Sequence, residues 1–241
     1  MWWAGRPAVD VYLGTRWAAM DGGVEAPRCA PAGDFADALR HAETWLRQLP
    51  PRSPVRVWLS GSQCRPFLWQ PPPGLRGRAE MERVAAAMAA ERTGMAPPTR
   101  SWVERRPSGN ACVVVAAQDT SLQSVEALVR EAGHRLVSLK PWWSAALAFA
   151  MREAAGRTSL AVLDCDALAI FAGQDAAMVE ATVFTPVLDL DAARGLLARA
   201  AVALPQGLDL ANCLTLDPGS AGAADTRLEG CPMGSFARWL A

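Results

Sequence analysis

The chain has 241 residues, enough for one large domain or two small ones, and its 24 basic side chains balance 24 acidic ones. Hydrophobic residues make up 51% of the sequence, which is typical of a globular protein with a sizeable core and argues against a disordered chain. The charge balance also argues against a nucleic-acid partner, because phosphate backbones are bound mainly through Lys and Arg.

Short strands open the sequence and a helix follows them. The first strand-like runs are residues 8–13, 16–20 and 24–29. Glycines separate these runs and allow the positive φ angles of tight turns, so we predict an antiparallel three-stranded meander. Asp34 then begins a helix with apolar residues at helical spacing, and Pro50 ends it. The apolar run at 55–60 that follows predicts a parallel core strand covered by helices.

Further helices and strands fill the middle of the chain. The predicted order is a proline-rich loop at 70–74, a helix at 78–92, an edge strand at 99–103, a central strand at 111–117, a helix at 121–132, a strand at 135–139 and a helix at 142–155. The apolar run at 142–151 is shorter than the ~20 residues that cross a bilayer, so we expect no membrane insertion. The amino terminus lacks the pattern of an export signal, which predicts a cytoplasmic protein.

The opening pattern returns after Gly156. Strand-like runs at 160–163, 167–171 and 178–184 precede a helix at 191–203 and a strand at 210–216. The order β-β-β-α-β therefore occurs twice, which predicts an α/β protein made of two tandem units with mixed sheets, the second unit truncated. The predicted boundaries are 1–156 for the first unit, 157–216 for the second and 217–241 for a flexible, glycine-rich tail.

Lysine and cysteine usage limits the chemistry. Lys140 is the only lysine and precedes Pro141, so the chain has no Gly-Lys-Ser/Thr P-loop. The six cysteines include no C-x-x-C pair and are accompanied by only two histidines, which argues against a metal site. Several cysteines lie in apolar runs, which favours reduced core thiols over disulfides.

The doubled element order resembles the actin/Hsp70/sugar-kinase superfamily, in which two halves close over a nucleotide. Three segments carry the resemblance: Val11-Tyr12-Leu13-Gly14-Thr15, the block at 55–62 and Leu163-Asp164-Cys165-Asp166. Within that superfamily, residues 8–216 resemble the PilM-like pilus-assembly proteins and the cytoplasmic region of the type II secretion L proteins. The resemblance implies that both units are actin-like subdomains.

The resemblance also implies an eroded nucleotide site. Nucleotide-binding relatives open each half with a carboxylate two residues before a glycine, so that backbone amides face phosphate and the carboxylate holds metal and water. Here Gly14 follows Tyr12 instead of a carboxylate, and Asp166 stands where a glycine should follow Asp164. Gly14, Thr15, Asp164 and Asp166 are therefore candidates for a residual nucleotide site, with no catalysis and no cofactor expected. Bound ATP and Mg²⁺, or two solvated turn carboxylates, are the alternatives.

By the same resemblance, the chain is expected to be a non-catalytic cytoplasmic scaffold of a pilus or type II secretion-like assembly system. It would dock the cytoplasmic tail of an inner-membrane protein in an apolar groove. Formation of a homodimer is a further possibility. The candidate anchors are Phe67 and Trp69, the latter placed in a proline-rich loop, and Trp142 and Trp143 at the start of a helix. Burial in the core is the alternative for each. An ATP-binding actin-like protein and a thiol-dependent enzyme are the competing functions.

Overall fold

In the residues that it describes, the computed structural model has three sheets and four long helices. The described residues are 8–22, 28–75, 77–105, 112–145, 159–164, 166–174, 177–186, 190–203, 213–216, 226–228 and 231–234. The strands are β1 (Val9–Leu13), β2 (Trp17–Asp21), β3 (Arg28–Pro31), β4 (Pro54–Leu59), β5 (Cys64–Trp69), β6 (Thr99–Arg105), β7 (Cys112–Gln118), β8 (Arg135–Pro141), β9 (Ser159–Leu163), β10 (Leu168–Gln174), β11 (Ala177–Phe184), β12 (Cys213–Leu216), β13 (Thr226–Leu228) and β14 (Cys231–Gly234). The helices are α1 (Phe35–Leu46), α2 (Arg78–Thr93), α3 (Asp119–Glu131) and α4 (Leu190–Ala203), and residues 142–145 are also helical.

The first sheet joins the opening meander to two parallel strands. Its order is β3-β2-β1-β4-β8, in which β1 is antiparallel to β2 and parallel to β4, and β4 is parallel to β8. Consecutive residues of β1 are buried, so both faces of the strand are covered. Helices α1 and α3 pack against the sheet and each other, while the ring of Trp142 packs edge-on against Tyr12 of β1 and Trp58 of β4.

A small antiparallel sheet, in the order β5-β7-β6, packs against helix α2. Phe67 and Trp69 on β5 are buried with Met81 and Ala85 of the helix. The predicted placement of Trp69 in a loop is therefore wrong. Pro66 and the following prolines suggested a loop, but β5 is an edge strand of the small sheet, where a missing backbone N–H is tolerated.

The third sheet repeats the connectivity of the first. Strands β9, β10 and β11 form an antiparallel meander, and β12 follows helix α4 to lie parallel to β9. The order β10-β9-β12 thus matches β2-β1-β4, and the predicted α/β fold of two related units is confirmed. Among the described helices, none is long and apolar enough to cross a membrane.

Two further strands belong to this sheet. Strand β14 lies parallel to β12 and pairs with β13 in an antiparallel arrangement. Both fall within 217–241, where the sequence analysis expected a flexible tail, and the predicted boundaries of the units stay a prediction. Strands of three and four residues are too short for an alternating pattern to identify them in the sequence.

Replacing Asp34 with alanine should lower the free energy of unfolding by about 1 kcal/mol. The Asp34 carboxylate accepts a hydrogen bond from the backbone N–H of Asp37 at 2.8 Å and so satisfies one of the free amides at the start of α1. Urea denaturation of the two proteins measures the difference. Thr44→Ala, an exposed substitution on the same helix, should cause no loss, and equal losses for both variants would contradict the capping role.

Candidate functional site

Three loops meet at one edge of the first sheet. Strands β1 and β4 are parallel neighbours, so the Gly14-Thr15 turn after β1 lies beside the Ser60-Gly61-Ser62 segment after β4. The backbone N–H of Ser60 donates to the carbonyl oxygen of Leu13 at 3.0 Å and holds the two loops together. The turn between β9 and β10, which carries Asp164 and Asp166, approaches them from the second unit. The structure therefore brings together all four residues predicted for the residual nucleotide site.

Asp166 accepts hydrogen bonds from both loops through one carboxylate oxygen. Its Oδ2 atom lies 2.6 Å from the backbone nitrogen of Thr15 and 2.9 Å from the hydroxyl of Ser62, and it also accepts from the hydroxyl of Thr15. Ser60 Oγ lies 2.6 Å from Ser62 Oγ and 3.3 Å from Asp166 Oδ2. A hydroxyl has a single hydrogen and can donate one hydrogen bond. In the best arrangement the Ser60 hydroxyl donates to Ser62 Oγ, and the Ser62 hydroxyl donates to Asp166 Oδ2.

Asp164 makes a second bond between the units. Its Oδ2 atom accepts from the backbone N–H of Gly61 at 2.8 Å, and its Oδ1 atom accepts from the N–H groups of Ala167 at 2.9 Å and Asp166 at 3.3 Å. One oxygen shapes the turn while the other reaches the first unit. The predicted alternative, in which Asp164 and Asp166 are solvated turn carboxylates, is wrong because both side chains are buried.

The charge at Asp164 is disfavoured by its surroundings. Burial, followed by the negative charge of Asp166, raises the pKa of the Asp164 carboxyl well above its ordinary value of 3.8. The Oδ1 atom of Asp166 is buried and, within the described residues, makes no hydrogen bond. The Asp164 carboxyl group therefore holds its proton more tightly than a carboxyl group in water does.

Two glycines allow this close approach. A Cβ atom at Gly61 would lie 2.9 Å from the Cβ of Ala167, and one at Gly14 would lie 3.0 Å from the hydroxyl of Tyr12 and 3.3 Å from Asp166 Oδ2. Neither position has room for a side chain unless its neighbours move. The sequence analysis identified Gly14 but did not assign a role to Ser60, Gly61 or Ser62. Their position directly after a strand parallel to β1 was the signal that could have identified them.

The four candidate anchors are buried. Phe67 and Trp69 lie in the core formed with α2, and Trp142 lies between Tyr12 and Trp58. Trp143 donates its indole N–H to the carbonyl oxygen of Cys64 at 2.8 Å and packs against Phe171 of the second unit with a centroid distance of 5.1 Å. These rings stabilise the core and the contact between the units. A role for them in partner binding stays a prediction.

The metal-ligating and thiol side chains of the described residues bear on the chemistry of this site. No group of three or more His, Cys, Asp and Glu side chains is placed to hold a metal ion there. Burial raises the pKa of the Cys64 thiol, which disfavours the reactive thiolate. The amide and the hydroxyl of Thr15, which the sequence analysis assigned to a residual nucleotide site, face the carboxylate of Asp166.

Gly61→Ala should lower the free energy of unfolding by roughly 1 to 3 kcal/mol, because the added methyl group would be forced against Ala167. Urea denaturation provides the measurement. Gly22→Ala is the matched control, since a Cβ there has no atom within 4 Å. If the two variants were equally stable, the close approach at Gly61 would not exist in solution.

The raised pKa of Asp164 predicts a pH dependence of stability. The folded state binds the Asp164 proton more tightly than the unfolded state, so the free energy of unfolding falls as the pH rises above about 4. Asn stays neutral, so the stability of Asp164→Asn relative to the unmodified chain should rise between about pH 5 and about pH 8. Urea denaturation at both pH values measures this difference. A difference that does not change with pH would contradict the prediction.

Comparisons with solved structures agree with this architecture. A Bacteroides thetaiotaomicron protein of actin-like ATPase fold and unknown function matches with a TM-score of 0.55 and 9% identity, over 88% of this chain and 82% of that one. The cytoplasmic domain of EpsL, an inner-membrane component of the Vibrio cholerae type II secretion system, matches with a TM-score of 0.57 and 14% identity, over 96% and 91% of the two chains.

A chain of the PilM–PilN type IV pilus biogenesis complex also matches, with a TM-score of 0.57 and 16% identity, over 89% of this chain and 82% of that one. No family model and no curated protein sequence matches the chain. At these identities the similarity establishes the fold, and the resemblance predicted from the element order is confirmed at that level. The chain therefore has the actin-like fold, with two related units that meet at the Asp166 contact.

Proposed function

We propose that this protein is a non-catalytic scaffold of a type IV pilus or type II secretion-like assembly system, located in the cytoplasm and bound to the cytoplasmic tail of an inner-membrane protein. One observation carries the proposal. The turn after β1, which approaches phosphate in nucleotide-binding proteins of this fold, here donates hydrogen bonds to the carboxylate of Asp166, as does the hydroxyl of Ser62 after β4.

The energetics of the site support a function without nucleotide. A phosphate group entering between the loops would have to displace a carboxylate that accepts three hydrogen bonds, and hydrogen bonds to charged groups contribute about 1.5 to 3 kcal/mol each. If the carboxylate stayed in place, its charge would repel the phosphate in a buried environment. The position of Tyr12 also leaves the first hairpin without the carboxylate that would hold a metal ion.

The structural neighbours support the choice of system. EpsL is an inner-membrane component of a type II secretion system, and PilM was solved in a pilus biogenesis complex with PilN. Both match over more than four fifths of their chains, so the similarity includes both actin-like units and not a single shared motif. We infer that this chain uses its fold to hold the cytoplasmic tail of a membrane protein in such a system.

The first test is nucleotide binding. Titration of Mg-ATP into the full chain should give no binding heat, and Mg-ATP at about 1 mM should not raise the Tm, because the anion position is filled by the protein itself. Mg-ADP and Mg²⁺ alone are the controls. A saturable heat with a Kd below about 1 mM would replace the proposal with the ATP-binding alternative.

The second test is tail binding. The immobilised chain should retain a synthetic peptide that matches the cytoplasmic tail of an inner-membrane protein encoded beside its gene, and should not retain a scrambled peptide of the same composition. Short tails bind by burying a few side chains in a preformed cleft, so the order of residues should matter. Equal retention of both peptides, or of neither, for every neighbouring membrane protein would contradict the scaffold function.

A further inference from the structure

We propose that the Asp166 carboxylate is a built-in ligand: it fills an anion site made by the β1–β2 turn and the loop after β4, and thereby fastens the second unit to the first without any added molecule. The donors all belong to the first unit and the carboxylate belongs to the second. The proposal goes beyond the scaffold function, in which this contact only keeps nucleotide out of the site.

The first argument is convergence. Three groups donate to the same oxygen of Asp166: the N–H and the hydroxyl of Thr15, and the hydroxyl of Ser62. Thr15 is 151 residues and Ser62 is 104 residues from Asp166 in the sequence. Backbone and hydroxyl donors that point at one spot from neighbouring loops form a concave anion site. A side chain that merely turned inward would need only one or two such donors.

The second argument is how the negative charge of the buried Asp166 carboxylate is stabilised. Asp166 is 0% exposed, and within the described residues it has no Lys, Arg or His partner in a salt bridge. A buried carboxylate without a cation is costly unless dipoles surround it, and here N–H and O–H dipoles take that role. Its second oxygen, Oδ1, is buried without a hydrogen bond in the described part of the chain, so the binding comes from Oδ2.

The third argument is that other contacts, polar and apolar, join the same two units beside Asp166. Asp164 accepts from the N–H of Gly61 next to the Asp166 contact, and Trp143 packs on Phe171. Strand β11 also contacts β5 of the first unit. The two units are therefore held in contact by other groups as well as by Asp166. Removal of the Asp166 carboxylate should leave a space of carboxylate size with its donors still in place.

Chemical rescue tests the proposal. Asp166→Ala removes the carboxylate, and its Tm in sodium chloride should fall by roughly 4 to 10 °C. In sodium formate of equal ionic strength, the added carboxylate should bind the exposed donors and restore at least half of that loss. The unmodified chain should have the same Tm in both salts, because its site is already filled.

Two control variants separate site binding from a general salt effect. Val129→Ala creates a buried apolar space in α3 with no donors around it, so formate should not stabilise it. The double variant Asp166→Ala with Ser62→Ala loses one of the three donors, and its rescue by formate should be smaller. Equal rescue of Val129→Ala, or no rescue of Asp166→Ala, would overturn the proposal. Rescue by inorganic phosphate but not by formate would also overturn the proposal, because phosphate needs a larger space than the carboxylate leaves.

A second variant keeps the test decisive if Asp166→Ala does not fold. Asp166→Asn keeps one acceptor oxygen for the donors and loses the charge, so it should fold with a smaller decrease in Tm that formate does not reverse. A Tm equal to that of the unmodified chain would overturn the proposal. These outcomes do not depend on Mg-ATP or on a tail peptide, so failure here and failure of the proposed function can be distinguished.

Discussion

The contact between Asp166 and the two loops of the first unit determines how the rest of the site is arranged. A carboxylate can be buried there because three donors converge on Oδ2. Those donors converge because β1 and β4 run parallel and side by side, so the turns that follow them share one edge of the sheet. The register of this single strand pair thus positions the donors of both Thr15 and Ser62.

The close packing around this contact follows from residues chosen for their small size. Gly61 faces the side chain of Ala167 and Gly14 lies against Oδ2 of Asp166, so the two units approach more closely than side chains at these glycines would allow. Asp164 uses the same closeness to reach the N–H of Gly61. Its carboxyl group holds a proton tightly as a consequence, because two acidic groups are buried next to each other.

Much of the fold could be predicted from the sequence, because glycine turns, helix caps and apolar runs have local signals. The repeated β-β-β-α-β order is confirmed, and Gly14, Thr15, Asp164 and Asp166 lie together in the structure, while their role as a nucleotide site stays a prediction. Strand β5 was missed because Pro66 is tolerated only through its edge position, which is a property of the sheet. The partners of Asp166 were missed for the same kind of reason, since hydrogen bonds over 104 and 151 residues depend on the assembled fold.

The shared hydrogen bonds between Asp166, Thr15 and Ser62 also constrain how this sequence can evolve. Loss of the carboxylate alone would leave buried donors unsatisfied, and loss of the donors alone would leave a buried charge uncompensated. Substitutions at these three positions are therefore expected to occur together in related sequences. A glycine at position 166 would leave these donors free to bind an external anion, so one substitution separates a site filled by the protein's own carboxylate from one open to a ligand.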